Sequence, residues 1–176
     1  MKKFLIFILF ILFFFLLLGG ALLYAFYPES KIPDGVVIDK ILVLKSKRQM
    51  QVFAGGQLVK TYRVSLGRVP VGKKEYEGDR KTPEGIHTIS HKNPHSKYHK
   101  TMCISYPDKR NIAHAKLLDK PPGGYVEIHG RPAEPDFTDR YAAHFDWTNG
   151  CVALTNKRLD DLYPHVPLGT VIEIRP

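Results

Sequence analysis

Hydrophobic positions along this chain fall into two regimes. From Phe4 to Tyr27 no residue is charged and nearly all are apolar, with Lys2 and Lys3 just ahead of the run. That stretch has no polar face at helical spacing, so it does not read as an amphipathic core helix. It predicts a single apolar helix, long enough at 1.5 Å per residue to span a bilayer. After Pro28 the apolar residues come in short runs. Ile38–Leu44 is β-branched, and Gln49–Ala54 and Gln57–Leu66 flank Gly55-Gly56, the signature of a hairpin. Gly67–Gly85 is rich in turn residues. Further strands are expected at Ile86–Ser90, Thr101–Tyr106, Tyr125–His129 and Gly169–Ile174, with one or two helical turns over Asn111–Asp119. A second short helix, capped by Thr155 or Asn156, would carry Leu159, Leu162 and Tyr163 on one side. The fold class is mainly β with one or two short helices, preceded by an N-terminal transmembrane helix. The expected organisation is an anchor or signal segment over 1–27, a linker over 28–37 and one catalytic-size domain over 38–176.

Charge refines the compartment. The chain has 26 basic and 17 acidic residues; without Lys2 and Lys3 the remainder still carries 24 − 17 = +7. Lys2-Lys3 on the inner side places the domain outside the cytoplasm, at the inner or cytoplasmic membrane; cleavage near Ala25 is the alternative. A basic domain there suits solvated surface or an anionic partner such as wall polymer or lipid headgroups. Scattered cations and the compartment argue against nucleic acid.

The two cysteines have different settings. Cys103 lies in the alternating run Thr101-Met-Cys-Ile-Ser, where it reads as a small strand residue. Cys151 follows Asp146-Trp-Thr-Asn-Gly150, a turn that presents a thiol with no side chain on the preceding residue. A thiol of ordinary pKa needs a base to become a nucleophile. His129, ending Tyr125-Val-Glu-Ile and followed by Gly130, is the first candidate, with a carbonyl near Gly130 to hold its second ring nitrogen. His144 is the rival base. The Gly150 and Cys151 amides are the candidate oxyanion donors.

These residues resemble the L,D-transpeptidase (YkuD) catalytic domain over roughly Ile38 to Pro176. The likeness rests on His129-Gly130, a spacer from Arg131 to Trp147, then Thr148-Asn149-Gly150-Cys151-Val152-Ala153. Gly78-Asp-Arg-Lys-Thr-Pro-Glu-Gly85 and the Gly55-Gly56 hairpin add to it. Asn149 and Ala153 replace the histidine and arginine common at those places, a pattern similar to a Gram-negative subgroup with Trp-Thr-x-Gly-Cys-Ile/Val-Ala. The resemblance implies a β-sandwich or barrel, Cys151 as nucleophile, His129 as general base and peptidoglycan stem peptides as substrate. It implies attack at the L,D bond between diaminopimelate and D-alanine, and transfer to an amine without metal or cofactor. Hydrolysis, including release of a wall-linked protein bearing diaminopimelate, is the alternative outcome. A non-catalytic wall-binding module with a Cys103–Cys151 disulfide is the rival from another class.

Other polar residues admit plainer readings. Arg68, Arg131, Thr148, Asn149 and Trp147 are possible substrate contacts, as are Arg80 and Lys81 for substrate carboxylates, though Trp147 also reads as packing beneath the cysteine turn. Asp146 would orient that turn. His87, His91, His95 and His99 recur every four residues, but Pro94 breaks any helix that would gather them on a metal. Arg131–Phe145 reads either as a lid or as a plain connection.

Overall fold

The computed structural model describes residues 2–26, 29–132 and 142–176. They form two compact units, Met1–Lys31 and Ile32–Pro176. The first contains α1, Lys2–Phe26, 25 residues with no acidic residue in the first turn. By length and composition its Lys2–Gly20 portion can cross a membrane.

The second unit is one curled sheet of eight strands: β1 Lys40–Leu44, β2 Gln49–Ala54, β3 Gln57–Arg63, β4 Gly85–Ser96, β5 His99–Ile104, β6 Glu127–His129, β7 Val152–Ala153 and β8 Val171–Arg175. Their order across the sheet is β3-β2-β1-β8-β4-β5-β6-β7. Neighbours run antiparallel except β1 with β8 and β6 with β7. Alternation places one side of each strand inward, as in β1, where Ile41 and Val43 are buried between partly exposed neighbours. Met50, Val52, Met102, Ile128, Ile172 and Ile174 continue this interior.

Two features differ from the sequence expectation. The strand expected at Ile86–Ser90 runs on to Ser96 and forms a hairpin with β5, because Asn93 still pairs with Thr101 and Ser96 with His99. The stretch read as linker joins the domain at Ile32, which is buried and donates its N–H to Asp161 Oδ1 at 2.9 Å.

The two ends of the sheet meet. Beyond β3, Ser65 exchanges backbone hydrogen bonds with Ala153 at 2.9 and 2.8 Å, and Leu66 and Arg68 bond both sides of Thr148 at 3.1 and 3.0 Å. The seam therefore lies beside the Cys151 turn. Among the described residues two helices complete the body: α2, Lys109–Leu117, capped by Asp108, and α3, Asn156–Leu162, capped by Thr155 Oγ1. A 3₁₀ turn, Tyr163–His165, follows α3.

Candidate active site

Strand β6 stands between β5 and β7. Its Glu127 and His129 lie opposite Cys103 and Thr101, while Ile128 and His129 lie beside Val152 and Ala153. Met102, Ile128 and Val152 face the core, so alternation turns Thr101, Cys103, Glu127 and His129 to the other face. Cys151, one residue before β7, stands level with Glu127 on that face. The candidate nucleophile and base thus sit on adjacent strands, one pleat apart.

His129 is held on every side. Its Nδ1 is 2.6 Å from the Gly130 carbonyl, which fixes the proton on Nδ1 and leaves Nε2 with the lone pair. The Tyr98 ring lies 4.9 Å away by centroid and the Trp147 ring 5.5 Å, edge on. Burial lowers the imidazole pKa against the opposing pull of the Gly130 carbonyl and the Glu127 carboxylate, so the ring is neutral near pH 7. Gly130 must lack a side chain, since a Cβ there would collide with Asn156 Oδ1 and the Tyr98 carbonyl.

The cysteine turn is shaped by its own side chains. Asp146 Oδ1 accepts the Leu66 N–H at 3.0 Å, and its Oδ2 accepts Arg48 Nε and Nη2 at 3.1 and 2.8 Å. Thr148 Oγ1 donates to the Cys151 carbonyl at 2.8 Å and accepts the Gly150 N–H at 3.1 Å. The Gly150 amide is therefore engaged and does not serve as an oxyanion donor in this arrangement. The Cys151 amide has no acceptor among the described residues and keeps that capacity. Gly150 adopts φ +131°, and a Cβ on it would lie 2.7 Å from the Lys81 carbonyl.

Cys151 is partly buried and its thiol donates to the Tyr125 carbonyl at 3.7 Å. Burial pushes its pKa up to about 11; the Glu127 backbone N–H and the Lys74 charge oppose this, and the Glu127 carboxylate adds to it. The resting pair is thus neutral thiol and neutral imidazole. Cys103 donates to Glu127 Oε1 at 3.1 Å, and its thiol is pushed up to about 12 by burial and by that carboxylate. Both cysteines are free. With β6 between them, two strand spacings of about 4.8 Å separate their backbones, beyond the reach of a disulfide.

Lys74 was not foreseen. It is 4% exposed, and its ammonium donates to Asp79 Oδ1 at 2.7 Å and the Tyr76 carbonyl at 3.0 Å, 3.8 Å from where a Gly150 Cβ would stand. Asp79 also accepts the Glu75, Tyr76 and Lys81 N–H groups. Burial works to raise the Asp79 pKa, but Lys74 and the Glu75 and Lys81 amides outweigh it and the net is lowered. Asp79 of the Gly78–Gly85 segment thus holds a buried cation, Lys74, under the cysteine turn.

The remaining candidates lie around this centre. Arg68 and Asn149 are exposed on its rim, and Arg68 Nε donates to the Trp147 carbonyl at 3.2 Å. The Arg131 guanidinium covers the Trp147 ring at 5.8 Å. Lys81 pairs with Glu75, and Arg80 is exposed while its carbonyl accepts the Val69 N–H. His144 is exposed and makes no hydrogen bond to a described residue. His87, His91 and His95 lie on β4 and His99 on β5, and no His/Cys/Asp/Glu cluster able to hold a metal occurs among the described residues. Of the expected lid, residues 133–141 lie outside the described residues.

Comparison with known proteins agrees with this architecture. Residues 38–174 match the family model described as the YkuD L,D-transpeptidase catalytic domain. YafK of Escherichia coli (strain K12), itself named only provisionally as an L,D-transpeptidase, is 26% identical over 132 residues, 72% of this chain and 46% of YafK. The chain spans about half the length of the curated relatives it matches. Among solved structures, the helical cell shape determining protein Pgp2 of Campylobacter jejuni superposes with a TM-score of 0.59 at 24% identity, covering 80% of this chain and 48% of Pgp2. An L,D-transpeptidase of Xylanimonas cellulosilytica gives 0.53 at 16% identity, covering 89% and 68%. Both likenesses are of fold.

Proposed function

Because the chain belongs to the L,D-transpeptidase (YkuD) catalytic-domain family, a family that modifies peptidoglycan, we propose that it is a cysteine-dependent acyltransferase acting on stem peptides. The observation that carries this reading is the placement of His129, its Nδ1 donating to the Gly130 carbonyl, one strand from a thiol on a fixed turn. In the first step Nε2 of His129 takes the Cys151 proton as sulfur attacks the carbonyl of the L-centre. The oxyanion that forms meets the Cys151 N–H and the field of Lys74. Collapse breaks the C–N bond, the imidazolium returns its proton to the departing D-residue amine, and a thioester remains. An incoming amine then repeats the sequence in reverse and restores the thiol. Bonds are exchanged without net oxidation or phosphoryl transfer, so the chemistry calls for no cofactor.

A second reading, in which water replaces the amine, rests on Ala153. That residue is buried at the sheet seam with both backbone groups tied to Ser65, where the family commonly has an arginine able to clamp a carboxylate. The products would then be tripeptide, or a protein released with diaminopimelate attached. We infer that α1 tethers the domain on the outer side of the cytoplasmic membrane, where its substrate is. Incubation with a defined disaccharide-tetrapeptide tests the scheme: mass spectrometry should find an acyl adduct on Cys151 and either 3→3 dimer or tripeptide, and Cys151→Ala should abolish all three. Turnover that survives Cys151→Ala would overturn it.

A further inference from the structure

Glu127 stands out among the carboxylates of the domain. Every other partly buried carboxylate of the described residues ends on a lysine or arginine, as Asp79 does on Lys74, Asp146 on Arg48, Glu84 on Lys45 and Asp161 on Lys60. Among the described residues Glu127 has no cation and no backbone N–H as partner; its partner is the Cys103 thiol, a weak donor, at 3.1 Å. In a domain with an excess of basic residues, a partly buried carboxylate without a cation is an unspent charge. Its position makes it stranger still. It occupies the middle of the row Cys103–Glu127–Cys151, on the same face as His129, and a negative charge there opposes formation of the thiolate that the reaction requires.

We propose that Glu127 is a specificity-determining residue that receives a primary ammonium group of the acyl donor. This rests on the stem-peptide reading above and names what the site demands of that substrate. A diaminopimelate residue has its L-centre carbonyl at the scissile bond and a free ammonium on its other stereocentre, three methylene groups away. Glu127 is one strand from Cys151, about 4.8 Å, a span that this side chain can bridge. Docking the ammonium offsets the carboxylate charge that stands beside Cys151, so the correct donor also removes one obstacle to its own attack. A donor whose amine is already acylated, as in a cross-linked stem, brings no such charge and leaves the partly buried carboxylate without a cation.

The test compares two disaccharide-tetrapeptide donors, one with the free side-chain amine and one with that amine acetylated, and follows formation of the Cys151 acyl adduct by mass spectrometry. Wild-type protein should acylate the free-amine donor faster by roughly 10- to 100-fold, the range expected for a charge-assisted pair. Glu127→Gln, checked for an unchanged circular dichroism spectrum, should react with both donors at similar rates. If Glu127→Gln lowers both rates equally and keeps the preference, the carboxylate supports the His129 imidazolium instead and the proposal falls. Should the variant not fold, the wild-type comparison decides alone: equal adduct rates overturn the ammonium site and leave the acyl-transfer reading standing. No adduct with either donor overturns both.

Discussion

His129 is flanked by two aromatic rings and still has one ring nitrogen committed to a carbonyl, which makes its proton inventory unambiguous. Since burial lowers its pKa below the usual value of about 6.5, it loses base function only as pH falls beneath that value. The Cys151 thiol, pushed up to about 11, does not ionise unaided near neutrality. Acylation by the wild-type protein should therefore be flat across neutral pH and fail on an acid limb below about 6.5. His129→Ala should lower the neutral rate by about 10²–10⁴, erase the acid limb and leave a rate that climbs with alkalinity; a stopped-flow pH profile checks this, and a larger effect of His144→Ala would reassign the base. At this scale Cys151, His129 and Gly130 were legible, because a strand terminus and a turn glycine leave marks in sequence. Lys74 was not. Nothing local distinguishes a buried lysine from a solvated one, and only the folding of the Asp79 loop beneath Gly150 gives it a role. Glu127 left a signal that went unread: it lies two residues before His129 and so shares its face.

The elements were visible where alternation was regular, as in β1 and the Gly55-Gly56 hairpin, and blurred where pairing outran propensity. Pro94 marks a strand end by local rules, yet β4 continues past it because β5 folds back alongside. The cysteine turn depends on such long-range support, since Asp146 and Thr148 hold it to Leu66, Arg68 and Arg48. Gly150 sits at φ +131° against the Lys81 carbonyl, whereas Gly56, at φ +77°, has open space around it. Gly150→Ala should thus cost on the order of 3 kcal/mol, from strain plus collision, and cut turnover sharply, while Gly56→Ala should cost about 1–2 kcal/mol and leave turnover alone. Urea unfolding midpoints and adduct rates measured on the two variants separate these contributions; equal losses would mean that the Lys81 carbonyl yields easily.

For the molecule as a whole, the N-terminal run and the basic body lead to one expectation. The protein should sediment with the cytoplasmic membrane and resist labels applied from the cytoplasmic side; a soluble form beginning near Phe26 would mean that the segment is removed. Fold class could be read from spacing alone, since short β-branched runs with turn residues between them admit few other architectures. The order of strands could not, because the parallel pairing of β1 with β8 joins segments from the two ends of the domain. The seam between Ser65 and Ala153 carries a temporal consequence. Leu66 and Asp146, which brace the nucleophile, are 80 residues apart in the chain, and such distant pairings form late because loop closure must precede them. In a chain whose seam has not yet closed, Cys151 therefore lacks its pairing with His129. The acyl transfer proposed above is expected to begin only once strands from both ends of the domain have come together.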